Sequence, residues 1–189
     1  MSDTALSSRW DRKALVGLLA LTVLTFARLW WVELSWDDEA LVKDNQVTAS
    51  LANIPEFFTR DLWSTTRLSW LKSGYYRPLM LVSLALDRAF YGLSSAGAHV
   101  HSLLWHLGAV SALFALLRRL TNPWAALAGA ALFAVHPVQV EVLALVAARN
   151  DSMAAVFVLS ALLLVLEPAT RSPLRLGGAA MLVLCGLLS

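Results

Sequence analysis

The stretch VHSLLWHLGAVSALFALLRRL, residues 100–120, decides the fold. Residues 100–117 hold no Asp, Glu, Lys or Arg, and the run closes on Arg118-Arg119. A bilayer-crossing helix needs about 20 mostly apolar residues, and a basic pair at its end marks a cytoplasmic flank. The pattern recurs on both sides of this stretch. Residues 14–32 are apolar behind Arg9, Arg12 and Lys13, and no small-residue cleavage site follows them, so they read as an uncleaved signal anchor. Residues 124–136, 152–166 and 176–189 give further spans, about five in all. The fifth run stops at Ser189 without a polar flank, which reads as the N-terminal part of a longer protein.

Composition agrees. Of 189 residues, 58% are hydrophobic and 15% charged, with a mean hydropathy of +0.64. Soluble domains run at about half apolar and a quarter charged. The balance excludes a disordered tail, a nucleic-acid-binding arm and an ordinary cytosolic enzyme, and the net charge of +2 calls for no polyanionic partner. Membrane lipid is the expected surrounding. Cys185 is the single cysteine and lies in an apolar run, so there is neither a disulfide framework nor a thiol metal site. The fold class expected is an all-α polytopic membrane protein.

Between the first two spans, residues 33–99 form a long first loop. It carries eight of the thirteen acids: Glu33, Asp37, Asp38, Glu39, Asp44, Glu56, Asp61 and Asp87. Its aromatic and charged residues alternate, as in helices lying in the interface, Trp70-Leu71 among them. Residues 78–91 are apolar but short and interrupted by Asp87-Arg88, which makes them a surface or re-entrant helix. Cation bias supports this. With a cytoplasmic N-terminus, the inner segments hold Arg9, Arg12, Lys13, Arg118, Arg119, Arg171 and Arg175, while the second outer loop, residues 137–151, holds only Arg149.

Two polar clusters then share the outer side: Trp36-Asp37-Asp38-Glu39, and His136 to Glu141 with Arg149-Asn150-Asp151. Carboxylates at membrane depth are expensive and read as functional. The plainer readings are that the first three acids start a solvated helix, and that Glu141 pairs with Arg149. His99, His101, His106 and His136 form no opposed pair that would fix a haem, and no His/Glu spacing matches a zinc hydrolase.

Several strings occur here in a telling order. Tyr76-Arg77-Pro78-Leu79 and Phe90-Tyr91-Gly92-Leu93 precede Gly97-Ala98-His99 and His106. Leu132 to Glu141, with His136-Pro137 at its centre, and Arg149-Asn150-Asp151 follow. In this order, over residues 36–166, the chain resembles the membrane part of the transmembrane O-mannosyltransferases that carry tetratricopeptide repeats, and their bacterial relatives. These belong to the GT-C superfamily of glycosyltransferases that use lipid-linked sugars. Gln139 and Ser102 stand where that family often has His and Asn.

The resemblance implies transfer of a sugar from a polyprenyl-phosphate donor to a protein or glycan hydroxyl on the extracytoplasmic, periplasmic or lumenal side. A carboxylate accepts the hydroxyl proton as it attacks. Asp38, with Asp37 second, is the implied base, and Arg149 the implied phosphate partner. Glu141, Asp151 and His136 would complete the substrate site. A divalent cation, if used, would fall to Asp38, Glu141 and Asp151. The rival readings are an inactive membrane assembly or binding protein of the same fold, and a transporter fragment that couples protons through its acids.

Overall fold

A computed structural model describes residues 9–70, 74–166 and 172–189. Leu71 and residues 167–171, which belong to the expected interfacial segment and inner loop, lie outside the described residues. Among the described residues there is no strand. Eight α-helices follow one another among the described residues: α1 (Arg9–Thr25), α2 (Ile54–Phe57), α3 (Pro78–Tyr91), α4 (Ser95–Leu120), α5 (Pro123–Val135), α6 (Gln139–Ala144), α7 (Arg149–Val165) and α8 (Pro173–Leu187). The chain fits an all-α polytopic membrane protein.

Among the described residues, three stretches are long and apolar enough to cross a bilayer: Arg9–Trp31, Ser95–Leu120 and Val146–Val165. The first joins α1 to a 3₁₀ turn, Ala27–Trp31. Helices α5 and α8 are apolar too, but their 13 and 15 residues span only about 20–22 Å at 1.5 Å per residue. Their starts are written locally. Asn122 accepts hydrogen bonds from the N–H groups of Trp124 and Ala125, Ser172 accepts one from Arg175, and a proline opens each helix. Both are favoured N-terminal devices.

Helix α4 begins at Ser95, five residues before the stretch expected from hydropathy. Ser94 caps it by accepting from the Gly97 N–H, and its polar first turns hold His99 and His101. The turn into α4 is tight. A Cβ on Gly97 would stand 2.5 Å from Cβ and Cγ of Tyr91, so glycine is required there. Helix α7 likewise begins at Arg149 rather than at residue 152.

Packing uses small residues. Ala126, Ala130 and Ala134 form a fully buried stripe on α5 that meets Val110 and Phe114 of α4 and Leu18 of α1. Small residues let membrane helices approach closely where lipid supplies no hydrophobic drive. Helix α7 packs against α4 and α8.

The helix ends sort into two groups. At one end, Nε of Arg118 donates to Oδ1 of Asp11 at 2.6 Å, joining the start of α1 to the end of α4. Arg119 donates to the Leu163 carbonyl near the end of α7. At the other end lie the long first loop, α6 and the start of α7. Helix α3 belongs wholly to that end: its Leu79 N–H bonds the Leu188 carbonyl past α8, and four residues after Tyr91 the chain has entered α4. Met80, Leu81, Leu84 and Ala85 of α3 form a core with Leu34, Leu41, Phe57 and Leu62 of the first loop. Arg88 adds hydrogen bonds to the carbonyls of Val42 and Lys43.

Candidate functional site

The first loop is held in shape by buried amides and hydroxyls. The Asn45 side chain donates to Thr65 and accepts from the Val47 and Thr48 N–H groups. Leu62 N–H bonds the Tyr75 carbonyl, and Tyr76 Oη donates to the Phe58 carbonyl. These bonds set Trp63 and Tyr75 beside the start of α3. There they border a cavity of about 320 Å³ shared with the second loop.

The cavity wall is polar on both sides. Asp37 and Arg77 come from the first loop and the head of α3, whereas Glu141, Asn150 and Asp151 come from α6 and the first turn of α7. The Arg77 guanidinium lies 5.0 Å over the Tyr75 ring, an arrangement attractive to a cation. Asn150 Nδ2 donates to Asp151 at 2.6 Å. Three carboxylates against one guanidinium leave the pocket net acidic.

The two adjacent acids part company. Trp36 turns the chain with φ 56, a left-handed value uncommon outside glycine. Asp37 faces the cavity, and Asp38 is fully buried. Both carboxylate oxygens of Asp38 accept backbone N–H groups of the second loop, Val146 at 3.1 Å and Ala147 at 2.7 Å. Those donors open the turn that leads into α7, where N–H groups lack helical partners. Asp38 therefore caps a helix entry 108 positions away. Burial raises its pKa above the ordinary carboxylate value, outweighing the two N–H bonds and the nearby His99 and Arg149.

The structure does not bring Arg149 to the cavity. Its side chain is fully buried. Nη1 forms an ion pair with Asp87 at 2.6 Å, Nε donates to Ser102 and Nη1 to Ser83, and Nη2 donates to the Ala98 carbonyl. The expected phosphate partner is thus occupied in holding helices together, and the plainer alternative, a Glu141–Arg149 pair, gives way to Asp87–Arg149. The guanidinium at the cavity is that of Arg77. It was visible in the Tyr76-Arg77-Pro78-Leu79 string but had no assigned role.

His136 is exposed and accepts the Val138 N–H on Nδ1 in a local turn; it is not part of the cavity wall. His99 and His106 are fully buried. Each gives one ring nitrogen to a carbonyl left open where a helix breaks, Leu143 at 3.1 Å and Ala134 at 3.0 Å. The break after α5 falls at His136-Pro137, since proline brings no N–H. As to a divalent cation, no three His, Cys, Asp or Glu side chains among the described residues gather closely enough to hold one. Asp38, the first member of the expected set, spends both oxygens on backbone N–H groups. The donor set does not fit a cation.

An all-α polytopic membrane protein with an acidic, aromatic-walled pocket where its two loops meet is the class that fold and site define. Its sequence resembles the protein O-mannosyltransferases of the tetratricopeptide-repeat type. It is 31% identical to Protein O-mannosyl-transferase TMTC4 of Homo sapiens over 164 residues, covering 78% of this chain and 22% of that protein. It is also 31% identical to TMTC2 of Homo sapiens over 131 residues, 68% of this chain and 15% of that protein. With Tmtc1 of Drosophila melanogaster it shares 28% over 151 residues, 79% of this chain and 18% of that one. The chain spans about a fifth of the length of the curated relatives it matches. No family model and no solved structure matches it.

Proposed function

We propose that this chain carries the membrane-embedded site of a GT-C-type glycosyltransferase, which moves a sugar from a polyprenyl-phosphate donor to a hydroxyl of a protein acceptor. The site faces the extracytoplasmic side, with the N-terminus in the cytoplasm, as the cation bias of the sequence favours. Asp37 is the general base. The acceptor oxygen attacks the anomeric carbon, its proton passes to the Asp37 carboxylate, and the bond from that carbon to the phosphate oxygen breaks. The polyprenyl phosphate leaves with the bonding pair, and the Arg77 guanidinium neutralises the charge that gathers on it. Glu141 and Asp151 accept hydrogen bonds from sugar hydroxyls, and Trp63 and Tyr75 offer apolar faces.

One observation carries the reading: of the paired acids, Asp37 is the one that lines the cavity with Arg77. The similarity to named O-mannosyltransferases supports the choice of reaction. The test uses membranes containing the protein, labelled mannosyl polyprenyl phosphate and a Ser/Thr peptide. Asp37→Asn lowers transfer by about two to four powers of ten, the usual weight of a general base. Arg77→Gln weakens donor binding as well as turnover. Asp44→Asn, which breaks an exposed pair with Arg67, changes little. Near-normal turnover by folded Asp37→Asn removes Asp37 from the mechanism.

A further inference from the structure

A second polar cluster lies next to the cavity without lining it. Arg149 on α7 meets Asp87 and Ser83 on α3, and Ser102 and the Ala98 carbonyl on α4. His101 of α4 bonds the other Asp87 oxygen through Nδ1, and Trp105 donates its Nε1 proton to His101 Nε2 at 3.1 Å. That last bond settles the ring's state. Nε2 must be an acceptor, so the proton sits on Nδ1 and points at Asp87. Nη1 of Arg149, 3.3 Å from Nδ1, is therefore a second donor converging on the same carboxylate. The cluster is one anion, one cation and a neutral ring.

Geometry gives it a task. Helix α3 carries Arg77 one residue before its first turn, and α7 carries Asp151 two residues after Arg149. Both side chains line the cavity, one from each loop. We propose that the Asp87–Arg149 pair, with Ser83 and Ser102, is the positioning element of the pocket, setting the spacing between the head of α3 and the first turn of α7. The kinetic consequence rests on the transfer reading above, whereas the spacing does not.

The test measures both. Spin labels on cysteines at Phe90 and Val158, both exposed, in a Cys185→Ser background report the α3–α7 distance in lipid. The unaltered cluster gives one narrow distance population. Asp87→Asn, and separately the Ser83→Ala/Ser102→Ala double variant, broaden it. Asp87→Glu, which keeps the anion, restores a narrow one. Turnover falls by about 10- to 100-fold in the broadened variants, as displacement by about 1 Å can cost a hundredfold. Asp44→Asn leaves both readouts unchanged. A role in stability alone would lower the unfolding temperature while the folded protein kept its narrow distance, and that result overturns the proposal. If Asp87→Asn yields no folded protein, an unchanged distance in the serine double variant overturns it. Broadening in these variants together with near-normal turnover by Asp37→Asn leaves the positioning role standing and sinks only the transfer mechanism built on Asp37.

Discussion

Asp37 and Asp38 are neighbours in sequence with the same side chain, and the fold gives them opposite work. The acid with no backbone partner faces the cavity; the other is spent on the Val146 and Ala147 N–H groups. Asp38→Asn replaces one accepting oxygen by an NH₂ group that faces an N–H. A buried donor left without an acceptor costs about 1–3 kcal/mol, so thermal unfolding in lipid should occur earlier, independently of sugar transfer. The pH dependence has a definite sign. Because burial raises the Asp38 pKa in the folded state, the native protein binds that proton more tightly than the unfolded chain does. Its contribution to stability is full below about pH 4, the ordinary carboxylate value, and is lost as pH rises through the raised folded value. Asp38→Asn should flatten that part of the stability profile, and an unchanged slope would show that Asp38 is not its source. The resemblance ranks Asp38 before Asp37, and the donors that argue for the reverse order lie 108 positions on, out of reach of any local pattern. Arg149 is a similar case. Its partner Asp87 stood out as a charge interrupting an apolar run, yet only the packing of α3 against α4 and α7 reveals the pair.

Helices were more legible than side-chain roles, for a physical reason. Apolar length and local caps are short-range properties: Asn122-Pro123 and Ser172-Pro173 announce α5 and α8 within three residues. The starts of α4 and α7 were harder because their first turns are polar, and hydropathy counts a buried, satisfied histidine or arginine as loop. The His99 bond shows what such a polar turn does, and His106, further along α4, does the same: each supplies a donor to a carbonyl at a helix break, Leu143 and Ala134. In lipid an open carbonyl has no water to turn to. His106→Leu should therefore destabilise the protein by about 1–3 kcal/mol, while His106→Gln, whose amide can still donate, should recover much of the loss. The midpoint of heat-induced unfolding in nanodiscs would distinguish them. Equal midpoints for Leu and Gln would mean that the ring is needed for its shape, against Phe26 and Phe133, rather than for its proton.

Taken as one body, the molecule separates its charges by end. The start of α1 and the ends of α4 and α7 are joined by Arg118–Asp11 and by Arg119 on the Leu163 carbonyl, while the cavity, α3 and α6 occupy the opposite end. That polarity makes the membrane arrangement testable without any assay of function. Cysteines are introduced one at a time at Thr59, Val140 and Thr121, each exposed, in a Cys185→Ala background. Thr59 in the first loop and Val140 on α6 belong to the cavity end, and Thr121 follows α4 at the other. If α4 and α7 cross the bilayer, an impermeant thiol reagent applied to sealed cells should label the first two. Thr121 should be labelled only after the membrane is opened. Reversal of the whole pattern would keep the bundle but place the cavity in the cytoplasm, against the cation bias of the inner segments. Labelling of Thr59 and Val140 from opposite sides would be more damaging. Asp37 and Asp151 could not then share a pocket, and the transfer mechanism and the positioning role of Asp87–Arg149 would fall together.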